Sequence, residues 1–148
     1  MSVRRAGIRD ASRIAEIYIF NHRINFYPIF QDDEYAFGEL QVMRLAEEFL
    51  NDTEMQHNTF VFDDGVVRGF IRVRDGEIEK LFVDPFFQNR GIGAALLTYA
   101  TEQLHADRLW ALEKNERAIR FYIRHGFTLT GERVHEQDTE EYLVRMRR

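Results

Sequence analysis

The stretch FVDPFFQNRGIGAALLTYA, residues 82–100, contains the most informative local pattern of the sequence. It begins as a strand, breaks at Pro85, places Gly91 and Gly93 on either side of one isoleucine, and continues as an apolar helix. A helix N-terminus exposes unpaired backbone N–H groups and about half a positive charge, so it attracts phosphate. Because a Cβ at position 91 or 93 would hold a ligand away from those amides, the pattern predicts a phosphate-binding turn between a strand and a helix.

The residues around the two glycines favour this interpretation. Gln88 and Arg90 add a hydrogen-bond donor and a fixed positive charge, and Ala94 keeps the next position small. Other phosphate motifs fit less well, because GxxxxGK[ST] is absent and a dinucleotide GxGxxG would need Gly or Ala where Leu96 stands. A purely structural role for the glycines, in a tight turn and in packing the helix on the strand, stays open at this point.

The composition sets outer limits on the class of protein. A chain of 148 residues with 45% hydrophobic and 30% charged residues predicts one soluble domain over residues 1–148. The absence of cysteine excludes disulfides and thiolate chemistry, and the five histidines lack metal-ligand spacing, so no metal site is predicted. A net charge of −5 argues against nucleic-acid binding, and no stretch approaches the roughly 18 apolar residues of a membrane span. We therefore expect a cytoplasmic protein.

Hydrophobic periodicity and turn residues predict the element order β-α-α-β-β-β-α-β-α-β-β. Asp10 is a plausible N-cap for the first helix, and Asp-Gly pairs between apolar runs predict hairpins. This order gives an α/β (α+β) fold with a mixed, mostly antiparallel sheet of six to seven strands and about four helices. The predicted strands are 2–8, 59–62, 66–73, 77–83, 109–112, 127–134 and 142–146, and the predicted helices run from Asp10 to about His22, over 39–50, from Gly91 to about Leu104, and from Asn115 to Gly126.

Two blocks of sequence resemble one known family. The run QNRGIGA at 88–94 resembles the Q/R-x-x-G-x-G/A acyl-CoA loop of the GNAT superfamily of N-acetyltransferases, and NERAIRFYIRHGF at 115–127 resembles the N-x-x-A-x-x-F-Y-x-x-x-G-F segment of that superfamily. The resemblance covers nearly the whole chain in topology and residues 77–127 in residue detail. It implies a GNAT-like acyl-CoA N-acyltransferase fold, in which two central strands splay apart and receive the pantetheine arm of acetyl-CoA.

The resemblance implies acetyl-CoA as co-substrate, with no metal. Backbone groups of residues 81–83 would bond to the pantetheine and the thioester, and the amides of residues 88–94 would hold the pyrophosphate. Asn115 matches an asparagine that contacts the pantetheine arm, although an N-cap role alone would explain it. The implied cofactor-binding residues are Leu81, Phe82, Val83, Gln88, Asn89, Arg90, Gly91, Ile92, Gly93, Ala94 and Asn115.

The resemblance also implies direct attack of a primary amine on the thioester in a ternary complex. Tyr122 matches the family tyrosine that acts as general acid, the alternative being an ordinary core aromatic. Glu77 matches by spacing a family glutamate that serves as base, and Glu79 lies one pleat nearer the thioester. An exposed strand acid is the alternative interpretation of each glutamate, and a base acting through water, or no base, stays open.

The acceptor is left undetermined by the sequence. The aromatic stretch with Phe26, Tyr27, Phe30 and Tyr35 and the acidic run 32–34 could receive an amine with an apolar body, or could simply pack on the sheet. We expect a small-molecule or peptide amine as partner, no nucleic acid or membrane, and a monomer or homodimer. The alternative functions are a non-catalytic acyl-CoA-binding regulatory module on the same fold and, more distantly, a nucleotide binder at the glycine turn.

Overall fold

The computed structural model describes residues 2–148. The order of its main elements and its mixed sheet confirm the predicted fold, while two short helices raise the number of α-helices above the predicted four. The strands are β1 Val3–Arg5, β2 Thr59–Asp63, β3 Val67–Arg74, β4 Glu77–Val83, β5 Arg108–Leu112, β6 Thr128–His135 and β7 Tyr142–Arg147, and the α-helices are α1 Ala11–Asn21, α2 Tyr27–Phe30, α3 Val42–Leu50, α4 Thr53–His57, α5 Ile92–Gln103 and α6 Glu116–Arg124.

The seven strands form one sheet in the order β1-β2-β3-β4-β5-β7-β6. All neighbours are antiparallel except β4 and β5, which run parallel. This parallel pairing covers only Glu77 with Arg108 and Ile78 with Leu109. Beyond Ile78 the two strands part, so a gap opens in the middle of the sheet towards the C-terminal end of β4.

Turn residues produce the antiparallel half of the sheet as the sequence predicts. Asp75 and Gly76 join β3 to β4 with φ angles of 49° and 81°. Positive φ at both central residues is the geometry that an Asp-Gly hairpin turn needs, and glycine adopts it without steric cost. At the other end of the chain, Gly126 follows α6 with φ 95°, as expected for a C-terminal cap.

Helices cover both faces of the sheet. On one face, Leu96, Leu97 and Ala100 of α5 pack with sheet residues and with Tyr122 of α6 in the larger hydrophobic core. On the other face, α1 and Phe49 of α3 pack against β2 and β3 in a second core. The gap between β4 and β5 therefore opens from one helical layer to the other.

The start of α1 differs from the prediction. The Asp10 side chain does not cap the helix, because its carboxylate accepts the backbone N–H of Gly7 at 2.8 Å and two guanidinium N–H groups of Arg4 at 2.9 and 3.0 Å. The Arg4 guanidinium and the Gly7 N–H oppose the effect of burial and hold the pKa of this carboxyl below its ordinary value. Asp10 thus ties the first strand to the helix.

The segment between α1 and α3, for which the sequence predicts neither helix nor strand, is largely helical. A π-helical stretch, His22–Phe26, continues α1 directly, Pro28 lies in the first turn of α2, and a second π-helical stretch covers Glu34–Glu39. Such stretches are rare and often occur at functional sites. Here they turn His22, Phe26 and Tyr35 towards the same side of the sheet, where their rings contact one another.

Gly69 of β3 gives a test of the packing beside the gap. An added Cβ would lie 3.0 Å from the Phe82 carbonyl oxygen, 3.1 Å from Leu96 and 3.2 Å from Ile92. We expect Gly69→Ala to lower the free energy of unfolding by about 1–3 kcal/mol, as overpacked cores do, in urea denaturation. Gly38→Ala is the control, because its nearest new neighbour would be 3.8 Å away. Equal stabilities of the two variants would contradict this packing.

Candidate active site

The gap exposes the backbone of β4 on one side. Asp84 N–H donates to the Arg68 carbonyl at 2.9 Å, so Asp84 and Arg68 are a hydrogen-bonded pair of the antiparallel β3–β4 ladder. Hydrogen-bonded and non-hydrogen-bonded pairs alternate along such a ladder. Phe82 therefore directs its N–H and C=O to Phe70 of β3, whereas Leu81 and Val83 direct theirs into the gap. The Val83 carbonyl accepts a 2.8 Å hydrogen bond from the Asn21 side chain. Of the three predicted backbone contacts, Leu81 and Val83 have the suitable direction, and Phe82 contributes its ring.

A β-bulge in β4 changes which side chains share a face. Lys80 pairs with Arg72 and Ile78 pairs with Val73, so Glu79 is an extra residue on β4. Ile78, Leu81 and Val83 all contact the core under α5. In a regular strand Ile78 and Leu81 would point to opposite faces, so the in–out alternation of side chains shifts by one residue at the bulge. The bulge therefore interrupts the regular pleat on which the expected spacing of Glu77 and Glu79 was based.

The turn after β4 presents free amides, as predicted. Gly91 has φ 81° and Asn89 has φ 63°, and the first intrahelical bond of α5 shown at this end runs from Ala95 N–H to the Gly91 carbonyl at 3.0 Å. The N–H groups of Ile92, Gly93 and Ala94 consequently have no partner within the helix. An added Cβ at Gly91 would meet nothing within 4 Å, so the space in front of these amides is open.

The turn is anchored on both sides. Asp84 is 4% exposed, accepts the Phe86 N–H at 2.9 Å and pairs with Arg13 of α1 at 2.6 Å. On the other side, Arg117 of α6 donates to the side-chain oxygens of Gln88 at 2.9 Å and Asn89 at 3.3 Å. The loop is thus held between two helices before any ligand arrives.

A cavity of about 490 Å³ lies in front of this turn, and we call it the loop cavity. No carboxylate lines it among residues 2–148, whereas Arg117, Arg124 and His125 do. All predicted cofactor-binding residues except Arg90 line it; Arg90 instead lies over the Phe87 ring at 5.4 Å. The cavity is also lined by four residues that were not predicted from the sequence, Asn21, Arg117, Phe121 and Arg124. Arg117, Phe121 and Arg124 are spaced by four and three residues, which places them on one face of α6. This spacing could have identified them from the sequence.

A second cavity of about 680 Å³ lies on the opposite side of the gap, and we call it the aromatic cavity. Residues of α1, the two π-helical stretches, β4, β5 and the β6–β7 connection surround it. Unlike the loop cavity, it is lined by five carboxylates and one lysine, Lys80. Its aromatic and histidine lining consists of Tyr18, His22, Phe26, Phe30, Tyr35, Phe82, Trp110 and Tyr122.

The two cavities meet at Tyr122. Both are lined by Phe26, Leu81, Phe82, Asn115, Ala118 and Tyr122. Tyr122 is 9% exposed, and burial raises the pKa of its phenol well above the ordinary value. The hydroxyl therefore stays protonated at neutral pH and can donate a proton at the junction.

Asn115 has the capping role that the sequence predicts. Its side-chain oxygen accepts the Ala118 N–H at 3.3 Å at the start of α6. Because Asn115 also lines both cavities, the capping role and a contact with a ligand are compatible. The cap fixes the first turn of the helix that carries Tyr122.

Glu77 and Glu79 lie in different surroundings. Glu77 lies where β4 and β5 are still paired, and it lines neither cavity. Its carboxylate accepts a 2.7 Å hydrogen bond from Arg145 and lies 3.9 Å from Arg108. Glu79 lines the aromatic cavity and lies 3.7 Å from Arg74. The structure thus places only Glu79 beside the gap.

We expect Glu77→Gln to act on stability and not on turnover. The substitution weakens the bond to Arg145, whose side chain is 9% exposed, and should lower the free energy of unfolding by about 1–2 kcal/mol. The rate of any amine acetylation should stay within about twofold of the unmodified protein. Urea denaturation and steady-state kinetics on the same preparation measure both. A tenfold loss of kcat at unchanged stability would return Glu77 to the list of bases.

Within residues 2–148, no helix combines the length and the apolar character needed to cross a membrane. The same part of the chain contains no cluster of three or more His, Cys, Asp or Glu side chains suited to a metal ion.

The fold is shared with solved acetyltransferase structures. PaiA N-acetyltransferase from Thermoplasma acidophilum, in complex with coenzyme A, superimposes with a TM-score of 0.74 at 20% identity, covering 99% of this chain and 98% of that chain. An N-acetyltransferase from Staphylococcus aureus Mu50 gives 0.79 at 16% identity, covering 99% of each chain. At these identities the likeness shows the fold alone.

Sequence comparisons identify the family. Peptidyl-lysine N-acetyltransferase YiaC of Escherichia coli (strain K12) is 36% identical over 66 residues, which are 44% of this chain and less than half, 45%, of that protein. An uncharacterized N-acetyltransferase of Archaeoglobus fulgidus is 29% identical over 138 residues, covering 82% of this chain and 89% of that protein. The family profile of the acetyltransferase (GNAT) domain matches residues 55–129. This match covers half of the sequence and shows that the chain belongs to the GNAT superfamily of N-acetyltransferases.

Proposed function

We propose that this protein transfers the acetyl group of acetyl-CoA to a primary amine, by direct attack of the amine in a ternary complex. The observation that carries the proposal is the meeting of two cavities of opposite charge character at Tyr122 in the sheet gap. One cavity has arginines and free amides, which suit a diphosphate, and the other has carboxylates and aromatic rings, which suit an amine. The name of YiaC, a peptidyl-lysine acetyltransferase, supports an amine acceptor.

The residues present fit acetyl-CoA. The amides of Ile92, Gly93 and Ala94 and the side chain of Arg117 are the groups that would hold the pyrophosphate. Leu81 turns its N–H and C=O into the gap, and Val83 its N–H, and an extended pantetheine arm could pair with these groups as an added strand would. The Val83 carbonyl already accepts a hydrogen bond from Asn21. Asn115 and Phe82 would border the arm at the junction of the two cavities.

When bound, acetyl-CoA supplies an activated acyl group and a thiolate leaving group. In the transfer, the N–C bond forms as the C–S bond breaks, the amine loses a proton, and the thiolate gains one. Tyr122 is the proposed proton donor to the sulfur, because its hydroxyl is protonated and lies at the junction. Such a general acid contributes typically 10²–10⁴-fold to a rate.

The acceptor must arrive as a neutral amine or be deprotonated in the site. An amine with a pKa near 10.4 is neutral at pH 7 in about one molecule in a few thousand. Glu79 is the proposed proton acceptor, directly or through water, because it lines the aromatic cavity at the bulge. Glu77 has no access to either cavity and is assigned a structural role.

Release of CoA thiol in the presence of an amine panel tests the proposal. The chain contains no cysteine, so a thiol reagent detects CoA without a protein background. We expect amine-dependent thiol release and a mass increase of the amine by one acetyl group. Tight CoA binding without transfer to any amine would instead support the non-catalytic acyl-CoA-binding module. Absence of CoA binding in calorimetry would contradict both.

A further inference from the structure

Two separate segments of the chain contribute solvent-accessible carboxylates to the mouth of the aromatic cavity. Asp32 and Glu39 lie on the segment that follows α2, and Glu136 and Asp138 lie on the connection between β6 and β7. None of these four carboxylates forms an ion pair within residues 2–148. We call them the mouth carboxylates. Because their charge is not neutralised by the protein, it is available to a cationic ligand.

The inner end of the same cavity carries the opposite charge. Lys80, one of only two lysines in the chain, extends from β4 over the ring of Tyr18, with Nζ 4.7 Å from the ring centroid. Arg72, which is 8% exposed, lies on the neighbouring strand and donates to the Thr59 hydroxyl at 2.9 Å. Among the described residues, no carboxylate lies within ion-pair distance of the Lys80 ammonium. The cavity therefore has the mouth carboxylates at its rim and the Lys80 ammonium, beside Glu79, on its inner wall.

A buried polar atom without a partner marks the same wall as a ligand site. His22 is 5% exposed, lines the aromatic cavity, and has a buried Nδ1 with no hydrogen-bond partner within residues 2–148. Tyr18, Phe26 and Tyr35 surround its ring. Burial, with Arg23 and Lys80, lowers the pKa of His22 below its ordinary value, so the ring is neutral at pH 7 and adds no charge to the interior.

The surroundings of Lys80 shift the pKa of its own side chain in opposite directions. Burial is the main cause that lowers the pKa of Lys80, and the Arg72 guanidinium adds to it. The carboxylates of Glu79 and Glu136 favour the charged form. The ordinary pKa of a lysine side chain lies about three units above neutral pH. The Lys80 ammonium also lies over the face of the Tyr18 ring, an arrangement that favours the charged form.

We propose that the acceptor is an elongated amine with a second positive charge remote from the reacting nitrogen. The second charge lies among the mouth carboxylates, and the reacting nitrogen lies inside, where the Lys80 ammonium disfavours its protonated form. This inference rests on the proposed function and specifies its substrate class. It explains why a site that must receive a cation carries a lysine on its inner wall.

Both ends of the cavity favour the productive orientation of such a substrate, with its remote charge at the mouth and its reacting nitrogen neutral inside. The mouth carboxylates raise the local concentration of a cation and orient its remote charge outwards. Near Lys80, a like charge in apolar surroundings lowers the pKa of the incoming ammonium and so increases the fraction of neutral nucleophile. A carboxylate at the remote position would be repelled at the mouth.

Three acceptors of similar length test the proposal with the unmodified protein. They are diaminopentane, pentylamine, which lacks the second charge, and aminohexanoate, in which the second charge is negative. We expect kcat/KM to fall in that order, with diaminopentane preferred over pentylamine by about tenfold at low salt and the preference reduced at high salt. Equal values for diaminopentane and pentylamine, or a preference for aminohexanoate, would overturn the proposal.

Charge-removing variants test the role of the mouth carboxylates. Asp32→Asn combined with Asp138→Asn should reduce the ratio of kcat/KM between diaminopentane and pentylamine. The control variant Glu102→Gln with Glu132→Gln removes the same charge from exposed positions that line neither cavity, and it should keep the ratio. If the control lowers the ratio as much as the mouth variant does, a general charge effect replaces the proposed site.

The pH dependence of kcat tests Lys80 separately. Rates rise with pH as the bound amine loses its proton, so removing the Lys80 charge should move this rise to higher pH. We expect a shift of roughly one unit in Lys80→Met, with a lower kcat at pH 7 and no increase in KM, and a profile close to the unmodified one in Lys80→Arg. Unshifted profiles in both variants would contradict the inner half of the proposal.

The outcomes separate this inference from the proposed function. If pentylamine and aminohexanoate are acetylated as well as diaminopentane, the protein is an acetyltransferase and only the charge argument fails. If no acceptor releases CoA thiol although CoA binds, the proposed function fails. A lysine-containing peptide with flanking arginines, compared with one with flanking glutamates, shows whether a peptide or a small amine supplies the same chemistry. A preference for the glutamate peptide would count against the mouth carboxylates.

Discussion

Tyr122→Phe should lower kcat for amine acetylation by roughly 100-fold or more and leave the Kd for acetyl-CoA within about twofold. The substitution removes only the hydroxyl, while the ring keeps its contacts with Phe121 and Phe127. Because burial raises the pKa of this phenol, the hydroxyl is a proton donor throughout the neutral range, and phenylalanine cannot replace it. Steady-state kinetics and calorimetry of acetyl-CoA binding measure the two effects.

Tyr99→Phe is the matched control for this prediction. Tyr99 lies on α5 with its ring centroid 5.2 Å from that of Phe60, and it lines neither cavity. Its kcat should stay within about twofold of the unmodified protein. An unchanged kcat in Tyr122→Phe would reject the acid role, and an equal loss in both variants would point to a general effect of removing a hydroxyl.

The second large effect is expected at the glycine turn between β4 and α5. Gly93→Ala should weaken acetyl-CoA binding by roughly tenfold or more, the equivalent of one lost charge-assisted hydrogen bond. The new Cβ would lie in ordinary contact with Phe121 at 3.5 Å and Val83 at 3.6 Å, two residues that line the loop cavity. Alanine also favours the helix over glycine by up to about 1 kcal/mol, so the melting temperature should not fall.

Calorimetry and thermal unfolding of the same variant separate binding from stability at this position. Gly7→Ala provides the control, since its added Cβ would meet nothing within 4 Å and its φ of −124° suits any residue. The control should bind acetyl-CoA as the unmodified protein does. Full binding by Gly93→Ala would show that Gly93 serves helix packing and that the diphosphate lies elsewhere.

The glycine turn after β4 and the helix α5 could be predicted from the sequence because local chemistry determines them. Gly91 takes a positive φ, Asn115 caps α6, and Gly126 ends it, and each of these follows from the residue itself and its immediate neighbours. The Asp75-Gly76 hairpin is of the same kind. Turns and caps are local, so their residues carry enough information without the rest of the chain.

The contacts that define the aromatic cavity could not be predicted in the same way. The bulge at Glu79 depends on the register of β4 against β3, and Glu77 lies outside the gap because β4 and β5 are still paired there. The π-helical stretch after α1 brings His22 beside Tyr18 and Tyr35, although a loop was expected over most of it. Both features arise from tertiary packing, which overrides periodicity.

The placement of β7 is a further case. The sequence predicts β6 and β7 as the last two strands but does not specify that β7 lies between β5 and β6. This order brings Arg145 of β7 beside Glu77, one of the two predicted bases, and the two side chains form an ion pair. A contact between residues so far apart in the chain depends on strand order, and strand order was the part of the topology that the periodicity left open.

A crystal structure with acetyl-CoA would show whether the sheet gap is the cofactor site. We expect the pantetheine arm between β4 and β5 alongside Leu81 and Val83 and the pyrophosphate at the amides of Ile92–Ala94. The thioester sulfur should lie within hydrogen-bond distance of the Tyr122 hydroxyl. Ordered acetyl-CoA outside the gap, with β4 and β5 paired along their length and Tyr122 remote from the sulfur, would contradict this expectation.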